Sequence, residues 1–143
     1  MTRLALILAL LVVTLSVMAG AISAGCASRR AQPADVQSLE WVLATIDGFE
    51  PPLSRRPTMR FEGAARVLGR AYVNQYWAAC ELNADGTIRV DTIASTKMSG
   101  PPEWLEDERR YLARLRSART WKLKGDTLTL TAAEGESLAF TKP

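Results

Sequence analysis

Cys26 is the residue whose type and position most clearly predict chemistry. It closes the run Ile22-Ser23-Ala24-Gly25-Cys26, which follows a positively charged start at Arg3 and a charge-free, mostly apolar stretch over residues 4–18. These parts have the layout of a secretory signal peptide with a small-residue cleavage site. A cysteine directly after such a site is typical of a bacterial lipoprotein, in which the thiol takes a diacylglycerol and the new amino group is acylated. The sequence therefore predicts a signal peptide over residues 1–25 and lipidation of Cys26.

Two other interpretations of the amino-terminal segment stay open. Residues 4–25 carry no charge, and about 20 apolar residues can span a bilayer, so an uncleaved anchor is compatible with the sequence. Arg29 and Arg30 would then lie outside the cytoplasm, against the positive-inside tendency. Simple secretion with an incidental Cys26 is the third interpretation. Ala27 stands where aspartate often directs retention in the inner membrane, so the lipoprotein interpretation predicts anchoring at the periplasmic face of the outer membrane.

The remaining reactive side chains give little support to catalysis. The chain has no histidine, the commonest general base and zinc ligand. With Cys26 acylated, Cys80 is the last free thiol, so no disulfide can form within one molecule. A lone cysteine in an exported protein is either buried and inert or reactive, and the strand-like setting of Cys80 favours burial. No nucleophile elbow or phosphate-binding loop is present. We therefore expect no enzymatic activity, no metal and no cofactor.

Length and charge limit the partners of the mature chain. Cleavage before Cys26 leaves enough residues for one small domain. All 15 acidic residues and all but one of the 18 basic residues lie in this mature part, which is therefore nearly neutral. Nucleic acid is not an expected partner, because that function needs basic residues clustered on one face. We predict a flexible tether over residues 26–38 and one domain over residues 39–143.

The elements of the predicted domain are mostly strands. Beyond residue 38 apolar side chains recur at every second position, a period typical of half-buried strands. The predicted strands cover residues 39–46, 58–62, 66–71, 76–82, 87–93, 120–124, 127–131 and 137–141. In the first of them, Leu39, Trp41 and Leu43 are predicted to share one face. Gly125-Asp126 separates two alternating segments and predicts a hairpin turn.

One segment has helical periodicity instead. Pro101-Pro102-Glu103 predicts a helix start, and an apolar stripe follows at helical spacing, formed by Trp104, Leu105, Tyr111, Leu112 and Leu115. Acidic residues crowd the amino end and arginines the carboxyl end, an order that complements the helix dipole. We therefore assign the carboxylates, including Glu108, to this complementarity and not to acid–base or metal chemistry.

These elements together predict a mainly β (α+β) fold. The expected architecture is a curled antiparallel sheet or half-barrel of seven or eight short strands, with one inserted helix near residues 102–116. A curled sheet covered by a helix hides strand edges that would otherwise pair with other chains.

Residues 39–140 carry segments that resemble the META domain, also called the HslJ-like domain. The matching segments are Trp41-Val42-Leu43, Ile46-Asp47-Gly48, Pro57-Thr58-Met59-Arg60-Phe61, Arg66-Val67-Leu68-Gly69, Asn74-Gln75-Tyr76, Ile93-Ala94-Ser95-Thr96-Lys97-Met98 and Gly125-Asp126-Thr127-Leu128-Thr129-Leu130. The resemblance implies an antiparallel β structure with a helix. It also implies a small envelope protein, often a lipoprotein, associated with heat or antibiotic stress and in some lineages with secretion or motility.

The chain departs from the family pattern at two cysteine positions. Val73 replaces the cysteine before the aromatic strand, and Gly100 replaces the one before the helix. Their joint absence suggests that the two family thiols act as a unit, by contact or by a disulfide. The matched positions that remain, Asn74, Thr96 and Met98, are the candidate binding residues. The structural alternative is that Asn74 satisfies a turn and Met98 fills the core.

The inferences lead to one expected function and one alternative. We expect a membrane-tethered, non-enzymatic envelope lipoprotein with an interaction or stress-protective role, which contacts another envelope protein by a strand edge or by the groove beside the helix. The alternative is a small binding module whose sheet encloses an apolar ligand such as a lipid, suggested by Trp41, Tyr72, Tyr76, Trp77 and Trp121. Small barrels are usually filled by their own side chains, which favours the first function.

Overall fold

A computed structural model describes residues 29–143, which contain nine strands and one α-helix. The strands are β1 (Trp41–Ile46), β2 (Thr58–Glu62), β3 (Arg66–Arg70), β4 (Gln75–Leu82), β5 (Ile88–Val90), β6 (Ala94–Ser95), β7 (Ala118–Lys124), β8 (Thr127–Ala132) and β9 (Ser137–Thr141). The helix α1 covers Pro102–Ser117, and two short 3₁₀ helices cover Pro33–Asp35 and Leu53–Arg55. The predicted signal peptide and Cys26 lie outside the described residues.

The strands form one antiparallel sheet that curls into a nearly closed barrel. Its order is β5-β4-β3-β2-β1-β9-β8-β7, and β6 pairs with β4 beside β5. The two ends of the sheet meet where residues 83–87 contact residues 120–121, a contact that we call the seam. There Thr87 bridges to Thr120, and the Trp121 amide donates to the Gly86 carbonyl oxygen over 2.8 Å. The seam pairs edge groups that an open sheet would expose.

The predicted fold class and helix are confirmed. β4 alternates strictly, and its buried residues are Tyr76, Ala78, Cys80 and Leu82. The hairpin between β7 and β8 is also confirmed, with Gly125 in the left-handed region at a φ of 59°. There is one strand more than the upper predicted number, because the segment predicted over residues 87–93 ends at Val90 and a separate β6 follows.

The chain before β1 differs from its predicted pattern. Leu39 is 37% exposed, whereas Trp41 and Leu43 are fully buried. The backbone turns at Ser38, whose φ is 61°, so Leu39 lies outside the alternation of the strand. Before this turn Val36 is fully buried, and its carbonyl oxygen accepts a hydrogen bond from the Trp41 indole over 3.0 Å. The packed structure therefore includes residues that the sequence assigned to the tether.

Aromatic side chains fill the space between the sheet and α1. The largest fully buried ones are Trp41, Phe61, Tyr76, Tyr111 and Phe140. The Tyr76 hydroxyl donates to the Thr58 carbonyl oxygen over 3.0 Å and lies 2.7 Å from the Tyr111 hydroxyl. Burial is the main cause that raises the pKa of both tyrosines, so both keep their protons at neutral pH. Gly69 permits this packing, because a Cβ there would collide with the Thr58 carbonyl oxygen.

Candidate functional site

The structure brings the three candidate binding residues together beside α1. Asn74 is 4% exposed and lies in the turn between β3 and β4, which the Ala71 amide closes by donating to the Asn74 carbonyl oxygen over 2.8 Å. Thr96 and Met98 follow β6, which pairs with the start of β4. Strand pairing thus places the segment after β6 beside the β3–β4 turn.

Asn74 joins these segments through its side-chain amide. Its Oδ1 accepts a hydrogen bond from the Thr96 hydroxyl over 2.8 Å and another from the Met98 amide over 2.7 Å. Thr96 Oγ1 in turn accepts from the Gln75 amide over 3.2 Å. Asn74 therefore lies in a turn that its backbone carbonyl closes, while its side chain bonds other segments.

Glu108 completes the cluster from the helix. Its Oε1 accepts from Asn74 Nδ2 over 2.7 Å, and its Oε2 accepts from the Val73 and Asn74 amides, each over 2.8 Å. The residue is 6% exposed. Three N–H donors therefore solvate the carboxylate where water cannot, as a buried polar group requires. We call Asn74, Thr96 and Glu108, with the Val73 and Met98 amides, the polar brace.

The assignment of Glu108 to helix-dipole complementarity was wrong. Glu108 lies on the apolar stripe of α1, four residues after Trp104 and three before Tyr111, and it is buried with Tyr111 and Leu115. Position on that stripe was the signal that separates it from Glu106, which pairs at the surface with Arg109. A carboxylate on the buried face of a helix needs donors from another element.

Met98 does not fill the core. Its side chain is 55% exposed, and its contribution to the polar brace is the backbone amide. The side-chain direction is not set by strand or helix periodicity here, because the residue lies in irregular structure between β6 and α1.

The two positions that lack the family cysteines are in contact. A Cβ built on Gly100 would lie 3.5 Å from Val73 Cβ, and 2.8 and 3.1 Å from its two methyl carbons. The Cβ separation agrees with that found in disulfides, about 3.5–4.5 Å. In this chain the valine side chain occupies the space over the glycine, directly beside the polar brace.

Cys80 is buried on β4, as the sequence predicted, and is the only cysteine in the part of the chain that the structure describes. Burial, with a smaller effect from the Asp91 carboxylate, raises the pKa of its thiol to about 11. The thiolate is the nucleophilic form, so at neutral pH Cys80 is neither exposed nor activated.

The described residues contain neither a metal-type cluster nor a helix that could span a membrane. Among residues 29–143 no three acidic or cysteine side chains cluster in the manner of a metal site. Within the same range no helix has the length and hydropathy of a membrane span. Two clefts of about 990 and 710 Å³ are open to solvent, and charged side chains contribute to the lining of both.

A family model and two solved structures match this chain. The model described as the META domain matches residues 34–143. No curated protein matches the sequence significantly. An NMR structure of a protein from Burkholderia xenovorans is similar, with a TM-score of 0.64 and 20% identity over 78% of this chain and 86% of that one. A second protein solved by NMR has a TM-score of 0.63 and 20% identity over 78% and 95%. At this identity the two structures show a common fold alone.

Proposed function

The chain belongs to the META domain family, and on that premise we propose that it is a non-enzymatic envelope lipoprotein. Acylated Cys26 tethers it to the periplasmic face of the outer membrane. Its role is protective under heat or antibiotic stress, and it acts by contact with another envelope protein. The proposal combines the lipoprotein pattern at residues 22–26 with the properties that the family resemblance implies.

The observation that carries the non-enzymatic part of this proposal is that the polar brace satisfies its own hydrogen bonds. Asn74 Oδ1 accepts two hydrogen bonds, and both oxygens of Glu108 accept from the protein itself. An asparagine and a carboxylate engaged in this way hold segments together and are not available to a substrate. The matched family positions therefore support a domain that presents a fixed surface.

An exposed apolar loop supplies the surface for contact. We define the apolar loop as residues 49–53, between β1 and β2. Phe49 is 71% exposed and Leu53 is 82% exposed, and large apolar side chains at such exposure are typical of sites that bind another protein. The loop is held from both sides, because Arg56 pairs with Glu50 at 3.5 Å and Arg55 stacks over the Trp104 ring at 4.1 Å.

The alternative function, a sheet that encloses an apolar ligand, finds no support in the interior. The aromatic residues that suggested it serve other purposes: Trp41 and Tyr76 are core side chains, and Trp77 is 41% exposed on the outer face. We therefore carry the contact function forward alone.

A pulldown of the tagged, lipidated protein from envelope extract tests the contact. The pair Phe49→Ser with Leu53→Ser removes both apolar contacts, so we expect it to lose the captured partner. Met98→Ser is the matched control, because it alters an exposed apolar side chain at the polar brace. A partner that is retained by the loop variant and lost by the Met98 variant would move the contact to the brace.

Deletion of the gene tests the protective role. We expect the deleted strain to lose survival under heat or an envelope-targeting antibiotic, and complementation to restore it. Complementation by the Cys26→Ala chain should fail, because that chain cannot be acylated. Equal survival of deleted and parent strains under both stresses would contradict the protective role.

A further inference from the structure

A group of basic side chains lies where the described chain begins. Residues 109–124 hold seven basic residues and no acidic one. At the end of this stretch Lys122 and Lys124 are exposed on β7, and Arg29 and Arg30 line the same cleft of about 710 Å³. We call these four side chains the basic face.

The basic face keeps an excess of positive charge over nearby carboxylates. Among the described residues neither Lys122 nor Lys124 has a carboxylate within 4.0 Å, and Arg29 reaches Asp35 only at 4.0 Å. Asp85 lines the same cleft, and its carboxylate, which accepts hydrogen bonds from the Thr87 amide and hydroxyl over 2.8 and 2.6 Å, offsets only part of the four positive charges. A surface with this excess of positive charge favours an anionic partner.

The beginning of the described chain is fixed against this face. The Arg30 guanidinium donates to the Asp85 carbonyl oxygen next to the seam. Ala31 packs against the core, and Val36 is fully buried. The four steps of backbone from Cys26 to Arg30 span at most about 14 Å when fully extended. A lipid on Cys26 therefore holds Arg30 within about that distance of the bilayer surface.

We infer that the basic face lies against the anionic phospholipid headgroups of the membrane that holds Cys26, and so sets the orientation of the domain. The inference rests on the acylation in the proposed function. The short reach keeps Arg29 and Arg30 near the membrane surface, whose potential decays over about 8 Å at physiological salt, and Lys122 and Lys124 line the same cleft as these arginines. Lys124 lies at the turn end of the β7–β8 hairpin. At the opposite end Thr131 pairs with Ser137, whose carbonyl oxygen accepts a hydrogen bond from the Asp47 amide. The apolar loop, which follows Asp47, therefore begins at the end away from the membrane.

Lysine footprinting on vesicles tests this orientation. The purified acylated protein is inserted into vesicles of phosphatidylglycerol with phosphatidylethanolamine, or of phosphatidylcholine alone, and pulsed with a water-soluble acetylating reagent. We expect acetylation of Lys122 and Lys124 to fall at least threefold on the anionic vesicles, and that of Lys97 to stay unchanged. Because the attraction is electrostatic, 1 M salt should remove the difference.

Paired charge variants give the matched control. Arg29→Gln with Arg30→Gln should abolish the protection of both lysines, whereas Arg109→Gln with Arg110→Gln makes the same charge change on α1 and should keep it. Mass spectrometry of the amino-terminal peptide reports acylation in the same sample. Equal acetylation on both vesicles with Cys26 acylated overturns the orientation and leaves the anchor intact. An unacylated Cys26 overturns the proposed function and the orientation together.

Discussion

The polar brace and the seam both hold the curled sheet closed, and they do so with different chemistry. At the brace the buried Glu108 carboxylate and the buried Asn74 side chain accept hydrogen bonds from three backbone amides and one hydroxyl, which belong to separate segments. At the seam the bonds are mainly between backbone groups, with one indole bond from Trp121 to the Asn83 carbonyl oxygen over 2.9 Å. Water can replace a bond at an exposed edge more readily than one in the interior. We therefore expect the polar brace to be the more firmly held of the two regions and the seam to be the softer one.

Removal of the Glu108 carboxylate should have the largest effect on stability, because it takes the central acceptor from the brace. Glu108→Ala leaves the Val73 and Asn74 amides and Asn74 Nδ2 without an acceptor, which lowers the free energy of unfolding by about 4 kcal/mol. Chemical denaturation measures the loss, and amide exchange at residues 73, 74 and 98 should speed up with it.

Two control variants separate hydrogen bonding from packing at this position. Glu106→Ala, on the exposed side of the same helix, should leave stability unchanged because its ion pair with Arg109 is at the surface. Glu108→Gln should fall between Ala and the parent protein, because the carboxamide keeps one acceptor. A Gln variant as stable as the parent would mean that the charge and the second carboxylate oxygen contribute nothing to stability.

A disulfide beside the brace should instead stabilise this region further. Val73→Cys with Gly100→Cys places the two Cβ atoms about as far apart as the 3.5 Å found for a Cβ on Gly100. We expect the oxidised double variant to form the bond and to gain about 3 kcal/mol in unfolding free energy. Thiol titration and denaturation with and without a reductant measure this. Failure to oxidise, with both single variants folded, would contradict the contact.

Loss of the indole bond at the seam should have a smaller effect. Trp121→Phe keeps a buried ring and leaves the Asn83 carbonyl oxygen without its donor, at about 1–2 kcal/mol. Amide exchange should rise at residue 121 and stay unchanged at residues 73 and 74. Equal acceleration at both regions would show that the seam and the brace open as one unit.

Cys80 lies on β4, close to the seam, and its titration should have the smallest effect on stability at neutral pH. It pairs with Val90 of β5, and its thiol pKa is raised to about 11, mainly by burial. The contribution of the protonated thiol to stability is therefore complete below the unfolded pKa of about 8.5 and is lost as pH rises through 11. Alkylation of Cys80 at pH 8 should be at least tenfold slower in the folded protein than in denaturant.

The variant Cys80→Ala is the control for this pH dependence. Between pH 8 and pH 11 it should lose less stability than the parent protein, since Tyr76 and Tyr111, whose pKa values burial also raises, titrate alike in both. Rapid alkylation of Cys80 at pH 8 in the folded state would place the softest part of the sheet between β4 and β5.

Local sequence patterns predicted the secondary-structure elements well. They could not predict features that depend on contacts between residues distant in sequence. The alternation in β4, the turn at Gly125 and the helix over Pro102–Ser117 each depend on neighbours in sequence, so they could be predicted. The strand order could not, because periodicity does not say which strand lies beside which. Val36 was assigned to the tether because its burial depends on the Trp41 side chain, beyond a turn at Ser38.

The candidate site was likewise predictable only in part, because its residues meet through long-range contacts. The family resemblance singled out Asn74 and Thr96, and their side chains do meet, 2.8 Å apart between Oγ1 and Oδ1. The partner that explains them, Glu108, is 34 residues from Asn74, and its acidic neighbours made a surface role the simpler prediction. A charged residue on the apolar stripe of a helix was the signal that should have received more weight.

The position of β9 sets the order in which this chain can fold. β9 lies between β1 and β8, and it pairs Val42 with Thr141, so the first long strand meets the last. A chain that is still emerging from a ribosome or a translocation channel lacks this central strand, and its sheet stays in two parts. Nearly the whole domain must therefore be synthesised before the barrel can close. Truncation after residue 136 would remove the middle of the sheet and not an edge.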